Sequence, residues 1–194
     1  MRYLSFDLEA TGLEEDAKII EFGMVPFDAE TKTINTKLKK HFYVQCPSYE
    51  KLEPNLNEWV KKHNKELIQK AHNEGIDLEN FKEQLEKYFE SNEVKEYFGN
   101  KPVVLFGKSM SAIDLPFMTR DLGCEWMNKY FHHRNLDLSC FTMGMIDMGK
   151  LASGMDSGSN LMTYLEMGDV CHTALEDAIN TAKMYLKILE LQES

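Results

Sequence analysis

Tyr3-Leu4-Ser5-Phe6-Asp7-Leu8-Glu9-Ala10-Thr11-Gly12-Leu13 opens the chain with alternating apolar side chains, two acids and then a break. The alternation over Tyr3–Leu8 predicts a strand, and Thr11-Gly12 ends it. Successive strand side chains point to opposite faces, so Asp7 and Glu9 share one face while Phe6 and Leu8 turn to the other, into a core. The carboxylates then stand at the carboxyl end of a strand that reads as central, where open α/β sheets commonly build their sites. Two acids this close repel, and partial burial adds a desolvation penalty. A divalent cation resolves both. The plain alternative is two acids on a solvent-exposed strand face, and the pair alone leaves both readings standing.

Working outward, Ile19–Phe27 reads as a second strand, Asp28–Lys32 as a turn and Ile34–Gln45 as a third strand, an antiparallel meander. The period then changes. Over Asn57–His72, Trp59, Val60, Leu67, Ile68 and Ala71 recur with helical spacing. Over Asp77–Phe89, Leu78, Phe81, Leu85, Tyr88 and Phe89 do the same, with Asp77 as N-cap. Val103–Phe106 is a short apolar strand; 113–122 and Phe141–Leu151 read as helices, 152–160 as a loop and Asn160–Met167 as a short helix. Thr173–Leu191 is a strong final helix, with Ala174, Ala178, Ala182, Tyr185, Leu186 and Leu189 near one stripe. Strands first, then helices around one or two further strands, predict an α/β fold: a mixed sheet of about five strands, the first three antiparallel, flanked by helices on both faces. No repeat or linker interrupts the 194 residues, so 1–194 is expected to be a single domain.

The formal charge of −10 argues against a polybasic nucleic-acid binder, whose grip comes from neutralising phosphates. It does not exclude an enzyme whose carboxylates hold metal ions, since those acids themselves make the charge more negative. Cysteines at 46, 124, 140 and 171 form no C-x-x-C pair and suit a reducing compartment. No leader-like stretch opens the chain and no apolar run would span a bilayer, so a cytoplasmic protein away from membranes is expected.

Two further pieces carry chemistry. Asp114 follows Val103-Val104-Leu105-Phe106 and heads Leu115-Pro116-Phe117-Met118; taken alone it reads best as a helix N-cap. In His172-Thr173-Ala174-Leu175-Glu176-Asp177, the acid lies between Ala174 and Ala178, whose small side chains would let a helix approach a sheet closely. Five positions on an ideal helix turn His172 roughly 140° from Asp177, so the histidine belongs on the loop before the helix. Other features carry less. Pro102–Ser109 is a near miss for a phosphate-binding loop, with proline where the first glycine should be. Lys37-Lys39-Lys40 and Lys61-Lys62-Lys65 read as solvated surface, and Tyr49 and Trp59 as base-stacking or core residues.

In order, D-x-E on the first strand, an Asp before an apolar helix near the middle, and H-x4-D at the last helix resemble the DEDDh exonucleases, the DnaQ-like branch of the ribonuclease H-like superfamily. The resemblance runs from Tyr3 to about Leu189. Phe6–Leu13 is similar to the opening motif of TREX-type and oligoribonuclease-type enzymes, and His133-Arg134-Asn135-Leu136-Asp137 more loosely to a stretch of oligoribonucleases. The resemblance implies a 3′→5′ exonuclease in which Asp7, Glu9, Asp114 and Asp177 hold two Mg²⁺ or Mn²⁺ ions and His172 is the general base. It also implies that Thr11 and Leu13 contact the terminal nucleotide, that the partner is a nucleic acid with a free 3′ end, and that nucleoside 5′-monophosphates are released. These residue types suit that work: hard cations take oxygen ligands, and histidine titrates near neutrality. Lys108 stands in Phe106-Gly107-Lys108-Ser109-Met110-Ser111-Ala112-Ile113-Asp114, where many members carry Asn, and is available to meet a phosphate. The rival reading is a non-catalytic or proofreading-type end-binding subunit of a larger assembly. A homo-oligomer is compatible with the sequence, and RNA and DNA are not distinguished by it.

Overall fold

The computed structural model describes residues 1–168 and 173–193. Strand β1 (Arg2–Ala10) follows its alternation. Leu4, Phe6 and Leu8 are buried in one core, while Ser5, Asp7 and Glu9 face the other side of the sheet. Strand β2 (Ile19–Asp28) is buried along its whole length and pairs antiparallel with β1, placing Gly23 opposite Asp7 and Glu21 opposite Glu9.

The expected third strand is two pieces. Strands β3 (Thr33–Ile34) and β4 (Lys40–Tyr43) both pair antiparallel with β2, separated by a 3₁₀ turn at Thr36–Leu38. The break falls at Pro26, whose carbonyl accepts the Asn35 N–H at 2.8 Å but which has no N–H to carry the ladder onward. Strand β5 (Leu105–Gly107) runs parallel to β1 on its other side, and β6 (Leu136–Asp137) parallel to β5. Among the described residues the mixed sheet therefore has six strands, ordered β3-β2-β1-β5-β6 with β4 also on β2, and β1 is central. Its N-terminal strands are antiparallel, as expected.

The region 57–72 is likewise two helices. After the short α1 (Tyr49–Leu52), α2 (Glu58–His63) stops at Asn64, whose backbone (φ −108°, ψ 7°) leaves the helix before α3 (Lys65–Glu74) begins. In α4 (Leu78–Glu90), Asp77 is the N-cap, accepting the Asn80 N–H at 2.8 Å. Two short helices carried too few apolar positions to show a period: α5 (Asn92–Phe98) buries Val94, and α7 (Cys124–Tyr130) buries Trp126 and Tyr130. Between them lies α6 (Asp114–Leu122); α8 (Leu138–Asp147), α9 (Gly158–Tyr164) and α10 (Ala174–Glu193) follow.

The helices cover both faces. On one, Phe6, Phe22 and Met24 pack with Phe81 and Leu85 of α4, Met118 of α6 and Trp126 of α7. On the other, Tyr3, Phe27 and Phe106 pack against Tyr185 of α10, with Leu138 and Leu161 alongside. Each fully buried phenylalanine is worth about 1.5–3 kcal/mol in removed apolar surface. Helix α10 lies across β1 and β2 on a fully buried stripe of Ala174, Ala178 and Ala182, the close approach its small residues predict. No described helix is long and apolar enough to cross a membrane.

Candidate functional site

The site forms where the start of α10 meets the carboxyl end of β1. A Cβ placed on Gly23 would lie 2.2 Å from the Leu175 nitrogen and 2.4 Å from the Ala174 carbonyl carbon, so only glycine admits the helix here. The Ser5 hydroxyl donates to the Ala178 carbonyl at 2.6 Å, and Glu21 Oε2 accepts the Ala174 N–H at 3.1 Å. Thr173 closes the helix end by accepting the Glu176 N–H on its hydroxyl while donating to the Glu176 carboxylate at 2.8 Å. Asp177, on the first turn, is thereby carried to the D-x-E pair. Carboxylate oxygens of Asp7, Glu9 and Asp177 all lie within 4.8 Å of one another, and all three residues are half-buried.

Asp114 is not the helix cap that its isolated context suggests. It is the first residue of α6; Ile113 holds the cap position and makes no side-chain bond. Asp114 is 9 % exposed and its Oδ1 accepts the Leu8 N–H at 3.3 Å, between Asp7 and Glu9 in sequence. It stands outside the three-acid cluster, yet its charge is the strongest electrostatic influence on Asp7. His172 lies outside the described residues.

Burial and crowding push these acids toward the protonated form. Asp7 rises well above the carboxylate range, first from burial, then from the charges of Asp114, Glu9, Asp177 and Glu21. Glu9 is pushed up to about 7 by burial and by Glu21 and Asp177, against the lowering pull of an Asn64 hydrogen bond. Asp114 reaches about 7, burial again leading, tempered by backbone N–H groups. Among the described residues no cation pairs with Asp7 or Glu9. Crowded, half-buried and uncompensated oxygens fit a hard divalent cation, whose charge reverses each of these penalties.

Beside Glu9 opens a cleft of about 340 Å³, with Gly12, Leu13, Trp59, Asn64 and Ile113 among its walls. Leu13 (70 % exposed) and Trp59 (61 % exposed) stand in solvent, and the indole stacks on His63 with ring centroids 4.5 Å apart. Trp59 is thus not a core residue, whereas Tyr49 is. Thr11 is buried, its hydroxyl accepting the Lys18 N–H at 2.9 Å and closing the loop behind Leu13. Lys108 lies over Gly158 at the start of α9, where a Cβ would come 2.8 Å from its Cε.

Sequence reasoning missed two residues here. Asn64 donates to Glu9 Oε2 at 3.5 Å and to the Ala10 carbonyl at 3.4 Å; the signal was an amide interrupting a helical pattern. Glu21 is fully buried, and its signal was a lone acid inside the apolar run Ile19-Ile20-Glu21-Phe22-Gly23-Met24-Val25.

The sequence profile of the exonuclease family RNase_T matches residues 4–185. The chain belongs to that family. Its fold is similar to that of cell-death related nuclease 4 (CRN-4), at 17 % identity and TM-score 0.68, over 98 % of this chain and 64 % of that one. It is also similar to Pop2p of S. pombe in a Mg²⁺- and Mn²⁺-bound form (15 % identity, TM-score 0.63, 96 % and 82 % covered). A third likeness is to E. coli ExoI in a metal-free complex with ssDNA (16 % identity, TM-score 0.68, 99 % and 40 % covered). The chain thus spans under two thirds of CRN-4 and less than half of ExoI. No curated protein sequence matches it.

Proposed function

We propose that this chain is a single 3′→5′ exonuclease domain that removes nucleoside 5′-monophosphates, one at a time, from the 3′ end of single-stranded or short nucleic acid. The observation that carries the reading is the cluster of Asp7, Glu9 and Asp177 oxygens within 4.8 Å of one another. The ssDNA bound to ExoI and the ions bound to Pop2p, in proteins of similar fold, support a nucleic-acid substrate and Mg²⁺ or Mn²⁺. An intracellular setting is part of the proposal, in keeping with Cys46, Cys124 and Cys140 as free thiols.

In this mechanism Asp7, Glu9 and Asp177, with Asp114 behind them, would hold two ions. When bound, such ions stabilise charge on both the attacking and leaving oxygens at phosphorus. Asn64 keeps the Glu9 carboxylate turned toward the site and ties the end of β1 to the start of α3. Leu13 and Trp59 flank the cleft beside Glu9 and would hold the terminal nucleoside between apolar faces. Thr11 supports Leu13 from behind. His172, one residue before Thr173, takes a proton from water as the water oxygen bonds to phosphorus. The bond from phosphorus to the 3′ oxygen of the preceding nucleotide breaks, and that oxygen takes a proton from solvent to become a new 3′ hydroxyl, while His172 returns its proton to solvent.

The test is digestion of 5′-labelled single-stranded RNA and DNA oligomers with Mn²⁺, with EDTA, and with Asp7→Asn. A ladder shortening from the 3′ end, blocked by a 3′-phosphate and absent in both controls, is expected. Cleavage of a circular strand overturns the exonuclease assignment, and tight end-binding without hydrolysis would mark the non-catalytic rival.

A further inference from the structure

We infer that Glu21 is a positioning residue that fixes the start of α10 and, through it, the placement of Asp177 relative to Asp7 and Glu9; this rests on the metal-dependent reading above. The acid cluster draws on two elements that are separate in the chain. Asp7 and Glu9 belong to β1, so their mutual spacing is set within one strand. Asp177 belongs to α10, so its distance from them depends on how the helix sits on the sheet. Ser5 holds the helix one turn further on, at the Ala178 carbonyl, and Gly23 only makes room for it. Glu21 supplies the directional contact at the helix's first residue: its Oε2 takes the Ala174 N–H, three residues before Asp177.

The side chain is itself held. Glu21 Oε1 lies 2.5 Å from Nε2 of His41, which projects from β4. The His41 ring packs edge-on against Tyr43, two residues along the same strand, with centroids 4.8 Å apart. A continuous path therefore runs from β4 through His41 and Glu21 to the N-terminus of α10. Both carboxylate oxygens are engaged along it, and Glu21 is fully buried. That is why this acid, although it faces Glu9 across the ladder, is not a further ligand. Burying a carboxylate next to the acid cluster raises Glu9 and Asp7 and is unfavourable in itself. An apolar residue would avoid that penalty but could not reach the Ala174 N–H.

The decisive comparison is between reach and charge. Glu21→Asp keeps the charge but withdraws the carboxylate by about one bond length, 1.5 Å, and should lose the helix contact. Glu21→Gln keeps the reach and an accepting oxygen while removing the charge. Mn²⁺ binding to the full chain, without nucleic acid, is measured by electron paramagnetic resonance of the free ion. Wild type that binds no Mn²⁺ would sink the metal reading itself, separately from this inference. Given wild-type binding, Glu21→Asp should weaken it about 10-fold or more, the scale on which partners that orient metal ligands act, while Glu21→Gln stays close to wild type. His41→Phe, which frees Glu21 without touching the helix, should shift affinity in the same direction as Glu21→Asp and serves if that variant does not fold. Weakening in Glu21→Gln with wild-type affinity in Glu21→Asp would show that charge, not placement, is what Glu21 contributes. Wild-type affinity in Glu21→Asp or, where that variant does not fold, in His41→Phe would overturn the inference outright.

Discussion

Gly23→Ala tests how closely the site depends on the seat of α10. The added methyl would lie 2.2 Å from the Leu175 nitrogen, 2.3 Å from its Cα and 2.4 Å from the Ala174 carbonyl carbon. Ordinary contact begins at 3.4 Å, so the helix start must retreat by about 1.2 Å (3.4 − 2.2). All three atoms are backbone, so no rotamer change can absorb the clash. Overpacking of this kind destabilises by about 1–3 kcal/mol. The same retreat stretches the 3.1 Å bond from the Ala174 N–H to Glu21 beyond hydrogen-bonding range, leaving a buried carboxylate oxygen unsatisfied for a further ~1 kcal/mol or more. The expected destabilisation is therefore about 2–4 kcal/mol. Asp177 moves with its helix, and a misplacement near 1 Å lowers turnover by roughly 100-fold. Urea unfolding midpoints and single-stranded oligomer turnover at saturating Mn²⁺ measure the two effects. Gly144→Ala is the control: no atom of the described residues lies within 4 Å of a Cβ there, and it should stabilise α8 by about 0.5–1 kcal/mol. A Gly23→Ala protein with wild-type midpoint and turnover would refute the reasoning.

Three other outcomes are expected. With Glu9 and Asp114 raised to about 7 from ordinary values of 4.5 and 3.8, the folded metal-free protein holds these protons more tightly than the unfolded chain. Their contribution to stability is then fully present below about pH 4 and lost as pH rises through 7, so the denaturation midpoint without metal should fall from pH 5 to 7.5 and recover on adding Mn²⁺; a midpoint indifferent to both contradicts the crowded-acid reading. His172→Ala should lower kcat about 10²- to 10⁴-fold and remove the rising acid limb of the rate profile, with Mn²⁺ affinity unchanged; wild-type turnover would reduce His172 to a loop residue. Trp59→Ala should leave the fold intact and weaken binding of short single strands by about 1–3 kcal/mol, the worth of one stacked base, as read by fluorescence anisotropy; unchanged affinity removes Trp59 from the cleft's function.

What the sequence disclosed here was local geometry. The D-x-E pair could be placed because a strand's two-residue period leaves no choice about which side chains share a face. The docking of α10 could be anticipated from Ala174 and Ala178, which have room for nothing but close approach. Elements of two to seven residues, such as β6, α5 and α7, lacked enough repeats for a period to emerge. Breaks inside long patterns were also hidden: Pro26 divides a strand by what its neighbour cannot bond to, and Asn64 divides a helix because its amide is needed at Glu9. The Glu21 and Gly23 positions were least legible, for their meaning depends on a helix that begins some 150 residues later, a separation given by the bond between Glu21 and Ala174.

The distribution of the acids along the chain also sets an order in time. Asp7 and Glu9 are synthesised well before Asp177. Until α10 lands, Gly23 is a gap in an exposed sheet face, Glu21 is a carboxylate open to water, and the D-x-E pair lacks its partner. β1 alone carries two of the three acids of the cluster. A nascent chain, or one cleaved before α10, thus carries the D-x-E strand without the three-acid geometry, which is complete only once that helix has landed.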